Sequence, residues 1–294
     1  STLCASRSKS CINCLAMMLN NKHIDLSEPR VMTIVNVTPD SFYDGSRTFT
    51  EEEIERRIAQ AIAEGADMLD VGGYSSRPNA DEVCIEEECA RVCRAMKVIR
   101  RVCPEVAVSI DTFRAEVVQR VVADWGDCIV NDISAGEADS QMIPTVARLG
   151  LPYIAMHMRG TPATMQSMTD YSDVVEEVRS YFVRKLDELH SAGITDVVID
   201  PGFGFAKTLE QNYTLMSGLH RLNDLGAPIL VGISRKSMIY KLLGCAPAEA
   251  LNGTTALHLE ALRQGAKILR VHDTREAVEV VKIYNQLNKS KQEQ

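Results

Sequence analysis

Eight short runs of apolar, mostly β-branched residues are spaced along the chain, and each ends in an abrupt polar cluster. They read VMTIVNVTPDSF, MLDVGGYSSRP, VAVSIDTFR, CIVNDISAG, YIAMHMRG, DVVIDPGFGF, PILVGISRKS and ILRVHD. A strand with one wet face alternates apolar and polar residues; a continuous apolar run is buried on both faces, as in a parallel sheet. Segments of helical length and period lie between the runs. Eight such strand–helix units closing on themselves give a (β/α)8 TIM barrel, an α/β fold in a single domain. Barrels of this kind build their active sites at the carboxyl ends of the strands, so the polar clusters mark the catalytic face.

The helices can be placed by their caps and periods. Thr50 is an N-cap for Glu51 to Glu64, whose Ile54, Ile58, Ala61 and Ile62 share one face, and Gly65 ends it. Pro104 breaks the helix over Ile85 to Val102 before the third run begins. Asp173 to Ala192 is the longest amphipathic stretch, and helical pattern also covers Arg114 to Asp124, Met142 to Leu149, Leu209 to Leu219, parts of Lys236 to Gln264, and Arg275 to Leu287. No linker, low-complexity run or charge block separates the units. Residues 1–30 read as an amino-terminal tail and lead-in, 31–288 as the barrel, and 289–294 as a carboxyl-terminal tail. A doubly wound sheet is the structural alternative, but no GxGxxG follows the first strand.

Length and charge narrow the function. A chain of 294 residues fits one barrel domain, and 45% hydrophobic residues fill a large core. A net charge of −8 argues against a nucleic-acid footprint, which needs clustered Lys and Arg, while leaving room for a local basic pocket. No apolar stretch approaches the roughly 20 residues that span a bilayer. Of the nine cysteines, Cys84, Cys89, Cys93, Cys103, Cys128 and Cys245 fall in helix and strand positions, as expected for free thiols of a reduced, cytoplasmic protein. Cys11 and Cys14 form a lone CxxC with no second pair to complete a zinc site.

The rim carries Asn36, Asp40, Asp44, Ser76, Arg77, Asp111, Asn131, Asp200, Lys236, Arg270 and His272. Asp111, Asn131 and Asp200 come from strands three, four and six and suit a flat heterocycle with a guanidine-like edge, because a carboxylate accepts two parallel N–H bonds. Lys236, Arg270 and His272 supply positive donors at strands seven and eight, where such barrels often hold phosphate. Each residue alone has an ordinary structural role open to it: Asp111 and Asp273 can be helix N-caps, and a lone Arg or Lys can be a surface ion pair. The loop NVTPDSFYDGSRT is either a solvated connection with an Asx-turn at Asp44-Gly45 or a lid that excludes water. Asn36 and Asp40 can lend oxygens to Mg²⁺ bridging phosphates, since that ion takes one or two protein oxygens plus substrate and water.

The strings NVTPDSF, GGYSSRP, SIDTF, NDIS, MHMRGTP, DPGFGF, GISRKSMI and RVHD, in this order from about Val31 to Val280, closely resemble the dihydropteroate synthases. NVTPDSF and GGYSSRP together are highly specific; NDIS or RVHD alone is not. The resemblance implies a transferase of folate biosynthesis, the target of sulfonamides, that joins 6-hydroxymethyl-7,8-dihydropterin diphosphate to p-aminobenzoate with Mg²⁺ and releases pyrophosphate. It implies pterin contacts from Asp111, Asn131, Met156, Asp200, Lys236 and Arg270. Asn36, Arg270 and His272 would hold the diphosphate, with Asn36 also on the metal. Phe42, Ser76, Pro78, Phe205, Lys236 and Ser237 would line the aminobenzoate pocket. Asp40, Asp44 and Arg77 would act in the closing loops, joining Lys236 and Arg270 as the residues that serve the reaction itself. A homodimer formed through helices is the family's habit. Two departures are visible: Ser76 stands where the family has Thr, and Asn79 where it has Gly, which implies a stiffer second loop.

Three other functions fit parts of the pattern. A pterin-binding methyltransferase domain shares the barrel and the Asp/Asn/Asp set but has no need of the GGYSSRP and SRKS loops. A Schiff-base aldolase would use Lys236, which stands just beyond its strand with no adjacent acid–base pair in view. A non-catalytic pterin-binding regulator would have no use for a polar group at every strand end.

Overall fold

The computed structural model describes residues 16–38 and 50–293. Eight strands run parallel: β3 (Arg30–Asn36), β4 (Met68–Gly72), β5 (Ala107–Asp111), β6 (Ile129–Asp132), β7 (Tyr153–Met156), β8 (Val197–Asp200), β9 (Leu230–Val231) and β10 (Ile268–Val271). Their hydrogen-bonded order is β8-β7-β6-β5-β4-β3-β10-β9. The ends of this ladder meet: Ile199 bridges Ile229 in parallel, and the Ile199 amide donates to the Pro228 carbonyl at 2.9 Å. The expected (β/α)8 barrel is therefore closed.

The two faces of each strand serve different cores. Outward residues such as Val31, Val35, Leu69, Val71, Val108, Ile110 and Val130 pack with Ile54, Ile58, Val92, Ile99 and Val118 of the surrounding helices. Inward residues Met32, Met68, Ile129, Ile154, Val198, Leu230 and Ile268 form a separate layer near the strands' amino ends. Side chains alternate along a strand, so two residues further on the inward positions are Asp70, Asn131, Met156, Asp200 and Arg270. The pleat alone thus carries the interior from an apolar floor to a polar rim.

The helices are α1 (Glu51–Glu64), α2 (Ile85–Val102), α3 (Ala115–Trp125), α4 (Met142–Leu149), α5 (Val174–Ser191), α6 (Leu209–Ser217), α7 (Ser237–Leu243), α8 (Leu251–Arg263) and α9 (Thr274–Gln292). Thr50 caps α1 as expected, within a capping box: its hydroxyl accepts from the Glu53 amide at 3.2 Å, and the Glu53 carboxylate accepts from the Thr50 amide at 2.9 Å. Gly65 ends the helix at φ +102°. The seventh strand is followed by two helices, α7 and α8. It is also short, Leu230–Val231 against the expected Pro228 to Ser234, since only Leu230 and Val231 pair with β10.

One element was not foreseen. Within the segment read as tail and lead-in, β1 (Ala16–Leu19) and β2 (Lys22–Asp25) pair antiparallel across Asn20 and Asn21. Both turn residues have positive φ, +50° and +59°, as a two-residue hairpin turn requires. Met17, Leu19 and Leu26 are buried against the inward layer of the barrel, and the Met18 amide donates to Asp196 at 2.8 Å. The hairpin plugs the barrel's amino-terminal mouth. Four-residue strands are too short to show a period, so the pattern of the sequence gives no warning of them.

Candidate active site

Side chains from four strands meet over the middle of the barrel. Arg270 reaches across it, its Nε donating to Asp70 Oδ2 at 2.6 Å and its Nη2 to Asp111 Oδ2 at 3.3 Å. Asn131 Nδ2 donates to the same Asp70 oxygen at 3.3 Å, and the Tyr74 hydroxyl donates to Asp111 Oδ1 at 3.1 Å. The Asp70 side chain is 0% exposed, whereas Arg270 keeps 21% and Asp111 17%. The cluster therefore has a sealed floor and an open top.

These contacts set the charges. Burial raises the Asp111 carboxyl, and the neighbouring Asp70 carboxylate adds to it against the pull of Arg270, so its pKa is pushed up to about 7. Burial opposes the charge on Arg270, but Asp70 and Asp111 override it and keep the guanidinium protonated. Asp200, at the end of β8, accepts from the Gly202 amide at 2.9 Å; burial raises its pKa against the opposing field of Lys236. Lys236, at the N-cap of α7, donates to the Phe203 carbonyl at 2.8 Å, with its ammonium 5.0 Å from the centre of the Phe205 ring. Burial lowers its pKa to about 8, with Asp200 holding it up. Met156 closes the wall between Asn131 and Asp200 at 3% exposure.

The expectation of a positive charge at His272 needs correction. Its Nδ1 lies 2.9 Å from the Ser234 hydroxyl, and burial, with Arg270 and then Arg57 nearby, pushes the imidazole down to about 3. It stands as a neutral ring with one N–H to donate, and the fixed positive charge on β10 is that of Arg270. The alternative structural roles for two aspartates also fail. Asp111 caps no helix, since α3 begins after Arg114. Asp273 occupies the N-cap position of α9 without a capping bond and instead holds Arg235 at 2.8 and 3.0 Å.

Asn36 is half-buried at the end of β3, its side-chain oxygen accepting from the Thr38 amide at 2.9 Å. Ser76, Arg77 and Pro78 are half-buried in the loop after β4. That loop makes a tight turn, the Ala80 amide donating to the Arg77 carbonyl at 3.2 Å, with Pro78 and Asn79 at its centre. Asn79 has φ +68°, a conformation for which glycine is the default and asparagine among the better substitutes. Ser237 is the first residue of α7 and half-buried. Asp40, Phe42 and Asp44, like Cys11 and Cys14, lie outside the described residues.

The loop after β8 shapes the remaining wall. Gly202 has φ +75°, and a Cβ there would stand 2.0 Å from the His157 carbonyl oxygen, so only glycine fits. The Gly204 amide donates to Asn212, and the loop ends on the buried Lys207.

Two charged residues of this region escaped the sequence reading. Asp70 sits inside the apolar run MLDVGG rather than at its polar end, and Lys207 follows the DPGFGF string. A signal existed for the first: a carboxylate within a strand buried on both faces requires a cation or donor to pair with it.

Residues 32–272 match the model of a family described as pterin binding enzyme. The chain is 43% identical over 262 residues to dihydropteroate synthase of Escherichia coli K12, which covers 88% of this chain and 92% of that relative. Among solved structures it is similar to Yersinia pestis dihydropteroate synthase in a sulfonamide drug complex, with a TM-score of 0.87, 35% identity, and coverage of 93% of this chain and 99% of that one. It is also similar to Xanthomonas albilineans dihydropteroate synthase with 4-aminobenzoic acid, with a TM-score of 0.84, 38% identity, and coverage of 94% and 98%.

Proposed function

The chain belongs to the dihydropteroate synthases among the pterin-binding enzymes, and from that premise we propose that it joins 6-hydroxymethyl-7,8-dihydropterin diphosphate to p-aminobenzoate. The observation that carries this reading is the cluster of Asp70, Asp111, Asn131 and Arg270, sealed below and open above, with Asp200 on the same rim. A pterin edge presents a row of N–H donors; Asp111, Asp200 and the Asn131 amide offer acceptors on the barrel's interior rim. Lys236 adds a donor for the ring's acceptor atoms, and Met156 an apolar wall. Arg270, held by two carboxylates, presents its guanidinium to the pterin and to the diphosphate, with His272 and Asn36 completing that sector.

The aminobenzoate pocket is proposed beneath the first two loops, between Phe205, Lys236, Ser237, Ser76 and Pro78. Phe42, and the loop residues Asp40 and Asp44, would close it together with Arg77. The relative solved with 4-aminobenzoic acid and the one solved with a sulfonamide support this class of ligand.

Magnesium fits the donor set. The ion needs only one or two protein oxygens beside substrate phosphates and water, so a three-carboxylate cluster is not called for. The Asn36 oxygen keeps a second lone pair beyond its bond from Thr38, and the buried Thr38 hydroxyl beside it has no partner among the described residues. Asn36 would hold the ion, which when bound neutralises charge on the departing diphosphate.

The chemistry asked of the protein is then ionisation, orientation and exclusion of water. The bond from the pterin's exocyclic carbon to the diphosphate oxygen breaks, its electron pair leaving with the pyrophosphate, whose charge Arg270 stabilises. The electron-rich dihydropterin shares the positive charge left on carbon, an SN1-like path. The aniline nitrogen, held by the aminobenzoate pocket, forms the new C–N bond, and the proton it loses passes to the departing pyrophosphate or to water. An aniline is unprotonated at neutral pH, so no strong base is needed.

The assembly we propose is a homodimer, supported by Leu242, Leu243, Ile283 and Leu287 on α7 and α9, which are 47–58% exposed. A cytoplasmic setting is supported by six free thiols among the described residues. A coupled pyrophosphate assay tests the reaction. Release is expected only with both substrates present and is expected to fall when a sulfonamide is added; release from the pterin diphosphate alone, or none with both, would overturn it.

A further inference from the structure

We propose that Lys207 is a positioning residue for the aminobenzoate subsite. Its side chain pins the loop from Gly202 to Ala206, which carries the Phe205 ring and the Phe203 carbonyl, against Lys236. The proposal rests on Phe205 and Lys236 forming that subsite, as proposed above.

Lys207 is unusual for a lysine. It is 6% exposed, and the partners that its ammonium finds among the described residues, His157 and the carbonyls of Gly202 and Phe205, include no carboxylate. Burying a charge in this way is costly unless hydrogen bonds compensate. Its Nζ donates to the carbonyls of Gly202 at 3.0 Å and Phe205 at 2.9 Å, and lies 3.0 Å from His157 Nδ1. Three bonds at one nitrogen satisfy it fully. With the ammonium, His157 accepts; with a neutral amine, the imidazole donates from Nδ1 and the amine still serves both carbonyls. Burial draws the lysine down to about 7 and, with Lys207 and Arg159 nearby, draws the imidazole down to about 2, so the ring stays neutral in either state.

The pinned loop needs holding. Gly202, Gly204 and Ala206 all have positive φ, at +75°, +84° and +52°. Ala206 is buried and not a glycine, so its left-handed backbone is strained by roughly 1–2 kcal/mol. Lys207 follows it and folds back onto two carbonyls within this stretch, those of Gly202 and Phe205. On the far side of the pin, the His157 ring is fixed edge-on against Tyr181 with centroids 4.9 Å apart, and its own amide donates to the Asp200 carbonyl at 2.9 Å. The near side faces Lys236, which bonds the Phe203 carbonyl and lies over the Phe205 ring. Displacing the Phe205 carbonyl therefore moves the ring and the ammonium proposed to grip p-aminobenzoate. Asp200 and Asn131 stay on their strands.

Steady-state kinetics of Lys207→Met and Lys207→Arg, with calorimetry of the pterin diphosphate, tests this. In Lys207→Met we expect the p-aminobenzoate KM to rise about tenfold or more while pterin diphosphate affinity stays within about threefold, with Lys207→Arg recovering part of the loss. Should Lys207→Met fail to fold, Lys207→Arg decides, with a selective rise in the p-aminobenzoate KM again expected. A p-aminobenzoate KM within about twofold of wild type in a folded variant, or parallel weakening of both substrates, would overturn the proposal. Wild-type turnover in the same assay separates this outcome from failure of the reaction itself.

Discussion

Asp111 is poised between a carboxylate below it and a guanidinium beside it, and its proton decides whether the rim offers the pterin an acceptor. With its pKa raised to about 7, the carboxylate is present above that pH and lost below it. Lys236 works in the opposite sense: with its pKa lowered to about 8, the ammonium donor is present below that pH and lost above it. Pterin affinity is therefore expected to be bell-shaped, each limb falling by about tenfold per pH unit. Calorimetry with 6-hydroxymethylpterin, which has no phosphate to titrate, reads the profile from pH 5 to 9. Asp111→Asn should remove the acid limb, and a flat wild-type profile would contradict the assignment. The singled-out rim residues were legible because strand ends are where apolar patterning stops. Asp70 was not, because its polarity lies within a strand, and its meaning depends on Arg270, which is 200 residues away in sequence. The neutral state of His272 was likewise invisible, since it follows from burial and from arginines, Arg270 first, brought close only by folding.

At the level of elements, the helices with amphipathic faces fell close to their expected bounds; Glu51–Glu64, with its Thr50 and Gly65 caps, matches residue for residue. Elements whose existence depends on partners did not. The β1–β2 hairpin is held by burial of Met17 and Leu19 under the barrel, not by any pattern of its own, and β9 is cut short by what β10 offers it. The hairpin's contribution is measurable. Met17 is 1% exposed, so Met17→Ala is expected to cost about 2–5 kcal/mol from lost transfer energy and the cavity left behind. Urea unfolding checks this. The active rim lies at the opposite end of the strands, so kcat at 25 °C should change little. A variant with unchanged stability would show that the hairpin is not a plug.

For the molecule as a whole, the barrel separates stability from chemistry along its axis: apolar layer and hairpin at one end, charged rim at the other. The outer surface keeps one further feature, the exposed leucines and isoleucine of α7 and α9. If α7 and α9 form the proposed dimer interface, sedimentation should give twice the monomer mass at micromolar concentration, and Leu242→Asp with Ile283→Asp should give monomers. A wild-type monomer, or a double variant that remains dimeric, would rule out this interface. The central claim is that the carboxylates inside the barrel mouth hold the pterin, and titration of pterin diphosphate into Asp200→Ala measures it most directly. Removing a buried carboxylate that accepts charge-assisted bonds should weaken binding by about 100-fold or more; affinity equal to that of the wild-type protein would contradict the claim.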